Sequence, residues 1–172
     1  MPRNNYLLLP VNPWFILLSL FIAFCLNLMP WGISLGVPDF VALCLVFWCL
    51  HEPRKVGIGT AFFLGLMMDV HNSIFLGENA LAYTLIAFIA ISIQKRLLWF
   101  GVVVQVMHLS VLFFAILLLK TLIRLSVAHD AHFPSLWYFM EAFSTAILWP
   151  LATWILLAPQ RRSVNKDKTR PI

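Results

Sequence analysis

The sequence predicts an all-α polytopic membrane protein with six transmembrane helices, and three observations lead there. Of its 172 residues 62% are apolar and only 11% charged, against about 25% charged in a soluble globular domain. Six apolar runs follow one another, separated by short polar breaks. The basic residues gather at alternate breaks instead of spreading along the chain. So little polar surface cannot cover a water-soluble particle, and a bilayer must act as solvent for most of the exterior. The length suits one domain, residues 1–159, followed by a basic cytoplasmic tail, 160–172.

The first run covers 14–29 and ends at Pro30-Trp31-Gly32. Arg3 ahead of it imitates a signal peptide, but no A-x-A cleavage pattern follows, and bulky Phe24 fits poorly before a lipoprotein-type Cys25. It reads as a retained helix. The second run, 38–50, opens with Pro38, whose missing N–H costs nothing in a first helical turn, and Asp39, which complements a helix N-terminus. It stops at His51-Glu52-Pro53-Arg54-Lys55, and the third run covers 56–70. These two are short for a ~30 Å hydrocarbon core, which about 20 helical residues normally cross. A re-entrant hairpin would instead carry Glu52, Arg54 and Lys55 to mid-bilayer, at roughly 2.5–3.5 kcal/mol per charge. Spanning is the cheaper solution, with Trp48 and the Arg54 and Lys55 stems at the interface.

The fourth run, 75–93, is entered through Gly77 and Glu78 and closed by Gln94-Lys95-Arg96. The fifth, 97–127, is the longest, and the sixth, 136–158, precedes Pro159 and the tail. With the N-terminus inside, the inner loops and ends hold Arg3, Arg54, Lys55, Lys95, Arg96, Arg161, Arg162, Lys166, Lys168 and Arg170, ten of the twelve bases. The outer loops hold none, only groups such as Asn72, His129, Asp130 and His132. Retained Lys and Arg set topology, so both termini are expected in the cytoplasm. The net charge of +5 therefore reports topology and contact with anionic membrane lipids, and nucleic acid is not an expected partner.

Three groups of residues stand out within the runs. Gly57, Ala61 and Gly65 recur every four residues with Asp69 in step, and Ser19, Ala23 and Asn27 form a looser series. Small side chains let helices approach closely in lipid, so these faces pack on the chain's own helices or on a partner. Asp69, Glu78 and Glu141 fall at the outer ends of runs three, four and six, and Lys120 and Arg124 at the outer end of run five. Opposite charges at one partly desolvated depth reduce each other's burial cost, so Lys120 or Arg124 is expected to pair with one of the three acids. Gln105 and His108 share a face of run five, and His108 is expected to be buried and hydrogen-bonded. No second central His accompanies it, so no haem or metal is expected, and His129 with His132 make only a weak loop pair. Cys25, Cys44 and Cys49 lack disulfide spacing and read as small apolar residues. There is no phosphate loop, H-E-x-x-H or nucleophile elbow, so no enzyme and no cofactor are expected.

A longer run of residues then resembles the MreD family of rod shape-determining inner-membrane proteins. It comprises Val37-Pro38-Asp39-Phe40-Val41-Ala42-Leu43, Phe47-Trp48, Pro53-Arg54-Lys55-Val56-Gly57, Phe63-Leu64-Gly65-Leu66-Met67-Met68-Asp69-Val70 and Leu76-Gly77-Glu78-Asn79-Ala80-Leu81-Ala82-Tyr83. Leu148-Trp149-Pro150 matches the family's last helix. The resemblance implies a non-enzymatic scaffold of the cell-elongation machinery that organises lateral peptidoglycan synthesis. Its implied partners are the bitopic protein MreC, the glycosyltransferase RodA and the elongation-specific penicillin-binding transpeptidase, with the MreB filament reached indirectly. It also implies a six-helix fold similar to the substrate-binding subunits of energy-coupling-factor transporters. That kinship keeps open a second reading, a small-molecule capture or transport subunit with an outward-facing pocket.

Overall fold

The computed structural model describes residues 11–31, 36–72, 76–127, 134 and 136–160. Arg3, Asp130, His129, His132 and the tail bases lie outside the described residues. Among those described, the secondary structure is entirely helical. The elements are α1 (Pro13–Leu28), α2 (Phe40–His51), α3 (Ile58–Asn72), α4 (Glu78–Leu97), α5 (Val102–Val127), α6 (Leu136–Ile147) and α7 (Trp149–Leu157), with a closing 3₁₀ turn, Ala158–Gln160. Three stretches are long and apolar enough to cross a membrane: α4, α5 and the line from Leu136 to Gln160. The helices α1, α2 and α3 are apolar but shorter.

Helix α2 is the centre of the bundle. It packs against α1, α4, α6 and α7, and Val41, Leu45, Val46, Phe47, Trp48, Cys49 and Leu50 are fully buried or nearly so. A helix hydrophobic all round is one enclosed on all sides. Its 12 residues rise about 18 Å, and protein neighbours rather than lipid supply most of its contacts. The outside is the reverse of a soluble surface, with Trp14, Phe21, Phe63, Val103, Met107 and Trp99 exposed. Exposed apolar groups of that size and number fit a lipid exterior.

The sixth segment is broken where the sequence predicts one helix. Pro150 has no N–H for the Ala146 carbonyl, and α7 restarts with Pro150 in its first turn. Just before the break, the Thr145 hydroxyl donates to the Glu141 carbonyl at 2.6 Å, a back-bonding pattern that bends helices. The break fixes Trp149. Its side chain is fully buried and its indole N–H donates to Gln105 Oε1 at 2.8 Å, while Gln105 Nε2 donates to the Phe100 carbonyl at 3.0 Å. Trp149→Phe keeps most of the volume but leaves Gln105 short of a donor, so the thermal midpoint should fall by an amount worth about 1 kcal/mol.

Three further expectations are corrected by the packing. Asp39, not Pro38, begins α2: it is the N-cap, accepting from the Ala42 N–H at 2.9 Å, and Pro38 lies outside the helix. His108 is exposed rather than buried; Nδ1 meets the Val104 carbonyl at 2.8 Å and the ring stacks on Phe100. Lys95 and Arg96 do not close α4 from outside but form its last turn, where cations suit the helix dipole. At that same end Lys55 Nζ donates to the Val11 carbonyl at 2.7 Å and Gln94 to the Leu50 carbonyl at 2.7 Å. These bonds tie the start of α1 and the end of α2 to the base-rich side.

Candidate functional site

The polar side chains converge at the opposite, base-poor end of the bundle. Asp69 stands in the last turn of α3, 2% exposed. Its carboxylate accepts from three backbone N–H groups at the start of α4: Gly77 at 2.9 Å, Asn79 at 2.7 Å and Ala80 at 3.0 Å. These are the orphan donors of a helix N-terminus, so one carboxylate from a neighbouring helix caps α4 and complements its dipole. Gly77 is the N-cap residue with φ +102°, a left-handed conformation that side chains resist, which places the amides around the carboxylate. Asp69 therefore binds backbone rather than Lys120 or Arg124.

The small-residue stripe serves the same joint. Ala61 is fully buried, and Gly65 lies so close to α4 that an added Cβ would stand 2.5 Å from the Asn79 carbonyl oxygen. Gly57 departs from the expectation. A Cβ there would meet only the Pro53 carbonyl oxygen, at 3.8 Å, because Gly57 precedes the first turn of α3. Its N–H bonds the Thr60 hydroxyl at 3.1 Å instead. In α1, Ser19 and Ala23 face inward: the Ser19 hydroxyl donates to the Ile16 carbonyl at 2.8 Å and accepts from the Trp48 indole at 2.8 Å. Both small-residue series thus contribute to contacts inside the chain.

The next residues of α4 reach α5. Glu78 and Arg124 form an ion pair, with Arg124 Nε 2.9 Å from both carboxylate oxygens and one terminal nitrogen 2.8 Å from Oε1. The Glu78 side chain is 3% exposed and that of Arg124 32%. Lys120, also buried, donates to Asn79 Oδ1 at 2.7 Å and lies 5.7 Å from the Tyr83 ring centroid. An ammonium cannot reproduce the guanidinium's flat, branched donor set. Arg124→Lys should therefore lower stability by about 1–2 kcal/mol despite unchanged charge, read as a lower thermal midpoint.

Asp39 gathers the remaining elements. Beyond capping α2, its carboxylate accepts from Asn27 of α1 at 2.8 Å and the Tyr83 hydroxyl of α4 at 2.8 Å. Its own N–H donates to the Thr145 hydroxyl of α6 at 2.9 Å, and Phe40 N–H donates to Asn27 at 2.9 Å. The backbone of Gly36 lies against α6, where its carbonyl accepts from Ser144 at 2.8 Å and an added Cβ would stand 2.7 Å from the Glu141 nitrogen. One aspartate thus joins α1, α2 and α4 directly, with α6 bound to its backbone. Between these elements lies a cavity of about 320 Å3, its wall including Asp39, Tyr83, Lys120, Arg124, Tyr138 and Glu141. Among the described residues no three His, Cys, Asp or Glu side chains are grouped to hold a metal.

Comparison with known proteins decides the family. The family model described as rod shape-determining protein MreD matches residues 10–157. The chain belongs to the MreD family. The rod shape-determining protein MreD of Haemophilus influenzae is 36% identical over 160 residues, which span 88% of this chain and 94% of that protein. No solved structure matches the chain. As its name states, MreD is a determinant of rod shape, so membership gives this chain a role in cell shape.

Of the five charged residues that the sequence groups at one depth, the structure puts Lys120, Arg124 and Glu141 in the cavity wall. Glu78 pairs with Arg124, Lys120 binds Asn79, and Glu141 and Lys120 share the cavity wall. Asp69 instead closes the α3–α4 joint behind it. Sequence reasoning assigned no bonding role to Asn27, Asn79, Tyr83 or Thr145, although each is a polar group inside an apolar run and a buried polar group needs a partner.

Proposed function

We propose that this MreD protein is a non-enzymatic scaffold of the bacterial cell-elongation machinery, acting with MreC to organise lateral peptidoglycan synthesis. The observation that carries the reading is the family match from residue 10 to 157, nearly the whole described bundle. The proposed arrangement is six spans in the inner membrane, with the base-rich end and both termini cytoplasmic, residues 1–159 forming one membrane domain and 160–172 a tail. The distribution of Lys and Arg supports it. The fold we expect is that of energy-coupling-factor capture subunits. RodA, the elongation-specific transpeptidase and, indirectly, MreB are the further partners proposed.

A scaffold needs a fixed shape more than a reactive centre, and the bonds at both ends of the bundle supply one. The Asp39 and Asp69 junctions hold α1, α2, α3, α4 and α6 in register at one end, and Lys55 and Gln94 at the other. The small-residue faces are used internally, so partner contacts are expected on exposed positions such as Leu17 of α1, Phe63 of α3 and Val111 of α5. Single cysteines at these positions, with the native cysteines removed, should cross-link to co-expressed MreC from at least one helix. Cells lacking the protein should lose rod shape and regain it with the wild-type chain. Normal rods in its absence, or folded protein that never recovers MreC, would contradict the reading.

A further inference from the structure

The cavity at the base-poor end holds two opposite charges that feel each other through space but form no ion pair within 4.0 Å. Lys120 is buried and has no carboxylate within 4.0 Å among the described residues. Its contacts are the Asn79 side-chain oxygen and the Tyr83 ring. Glu141 is partly buried, and its carboxylate makes no hydrogen bond or ion pair with the described residues; the Thr145 hydroxyl binds its backbone carbonyl instead. Both side chains line the same cavity. The other two charges in its wall are already compensated. Arg124 is bound by Glu78, and Asp39 accepts from three neutral donors at a helix N-terminus.

Charges held in a partly desolvated wall are costly unless matched. An added anion would bind Lys120 but repel Glu141; an added cation would do the opposite. We infer that this cavity binds a small zwitterion, its anionic group on the Lys120 ammonium and its ammonium group on the Glu141 carboxylate. The aromatic rings of Tyr83 and Tyr138 in the same wall suit the short carbon body and offer a face to the ligand's cation. A volume of about 320 Å3 is at the small end of ligand pockets and admits an amino acid or a phospholipid headgroup. Two sources carry this pair of charges: a free amino acid, and the phosphate and amine of an aminophospholipid. The inference concerns binding and does not depend on the scaffold reading.

The test uses the full chain in nanodiscs of phosphatidylglycerol, which lacks an amine. Alanine and phosphoethanolamine are titrated as zwitterions, propionate and ethylamine as their single-charge halves, with thermal midpoint and calorimetry as readouts. At least one zwitterion should bind saturably and raise the midpoint, while each half does so far more weakly. A response to alanine assigns a free amino acid. A response confined to phosphoethanolamine, and reproduced by phosphatidylethanolamine nanodiscs, assigns the lipid headgroup. Glu141→Gln should fold normally, because its carboxylate has no hydrogen bond or ion pair to lose and Gln keeps its size, and should weaken the zwitterion about tenfold by removing one charge-assisted contact. Lys120→Met should weaken it comparably where it folds. Failure of both zwitterions to bind, equal binding of ethylamine or propionate, or unchanged binding by folded Glu141→Gln would each overturn the assignment.

Discussion

Gly65→Ala should remove most folded protein, although alanine is the smallest substitution available. The new Cβ would stand 2.5 Å from the Asn79 carbonyl oxygen and against the Ala80 backbone. Backbone atoms of a packed helix cannot turn aside as a flexible side chain can, so α3 and α4 must separate. Overpacking of this kind costs about 3 kcal/mol or more, enough to shift the monodisperse fraction on size-exclusion chromatography and the thermal midpoint together. Gly65→Leu should be worse. Gly59→Ala, with nothing within 4 Å of the added atom, and Gly57→Ala should both behave as wild type. Equal yields for the Gly65 and Gly59 variants would show that the α3–α4 approach is looser than described.

The second large effect is expected at Asp69. Asp69→Ala strips an acceptor from three backbone N–H groups at once. Each buried donor left without a partner costs about 1–3 kcal/mol, so the total is about 3 kcal/mol even if water reaches one of them. Asp69→Asn retains one acceptor oxygen but directs an NH2 at donors, and should fall between wild type and alanine. Hydrogen exchange at the first turn of α4 separates this account from a simple charge effect. Its amides should lose protection in both variants, while those in the middle of α5 should change little. Full protection in a folded Asp69→Ala protein would contradict the capping role.

These two positions show how much the sequence discloses. Period-four spacing of Ala61, Gly65 and Asp69 announces a close helix contact, and the contact is real. Spacing alone cannot locate its N-terminal limit: the series runs back to Gly57, although the helix begins only at Ile58. Similarly, the charges of Asp69, Glu78, Lys120, Arg124 and Glu141 announce a shared depth without choosing partners. Partner choice depends on side-chain direction across helices: Glu78 turns to Arg124, whereas Asp69, one joint away, meets backbone amides. Backbone donors are invisible in a residue-type pattern, so the cap is not legible there. Asp39 was legible as a helix-start residue, but its bonds to Asn27 and Tyr83 span 12 and 44 residues of chain. Long-range bonds of that kind follow from packing, and no local pattern encodes them. Pro150 stands in the sequence as a helix-breaking residue, but an apolar run passing through it reads as one span because apolarity carries no backbone information.

Both ends of the bundle are polar, but one is much richer in Lys and Arg, and the proposed function depends on which faces the cytoplasm. In a chain freed of its native cysteines, single cysteines replace Leu76, exposed beside the Asp69 cap, and Ser163 in the tail. Intact cells are then treated with a membrane-impermeant maleimide. The account predicts labelling at position 76 without permeabilisation and at position 163 only after it. The converse result would place the acidic and cationic cluster in the cytoplasm and contradict the proposed orientation in the membrane.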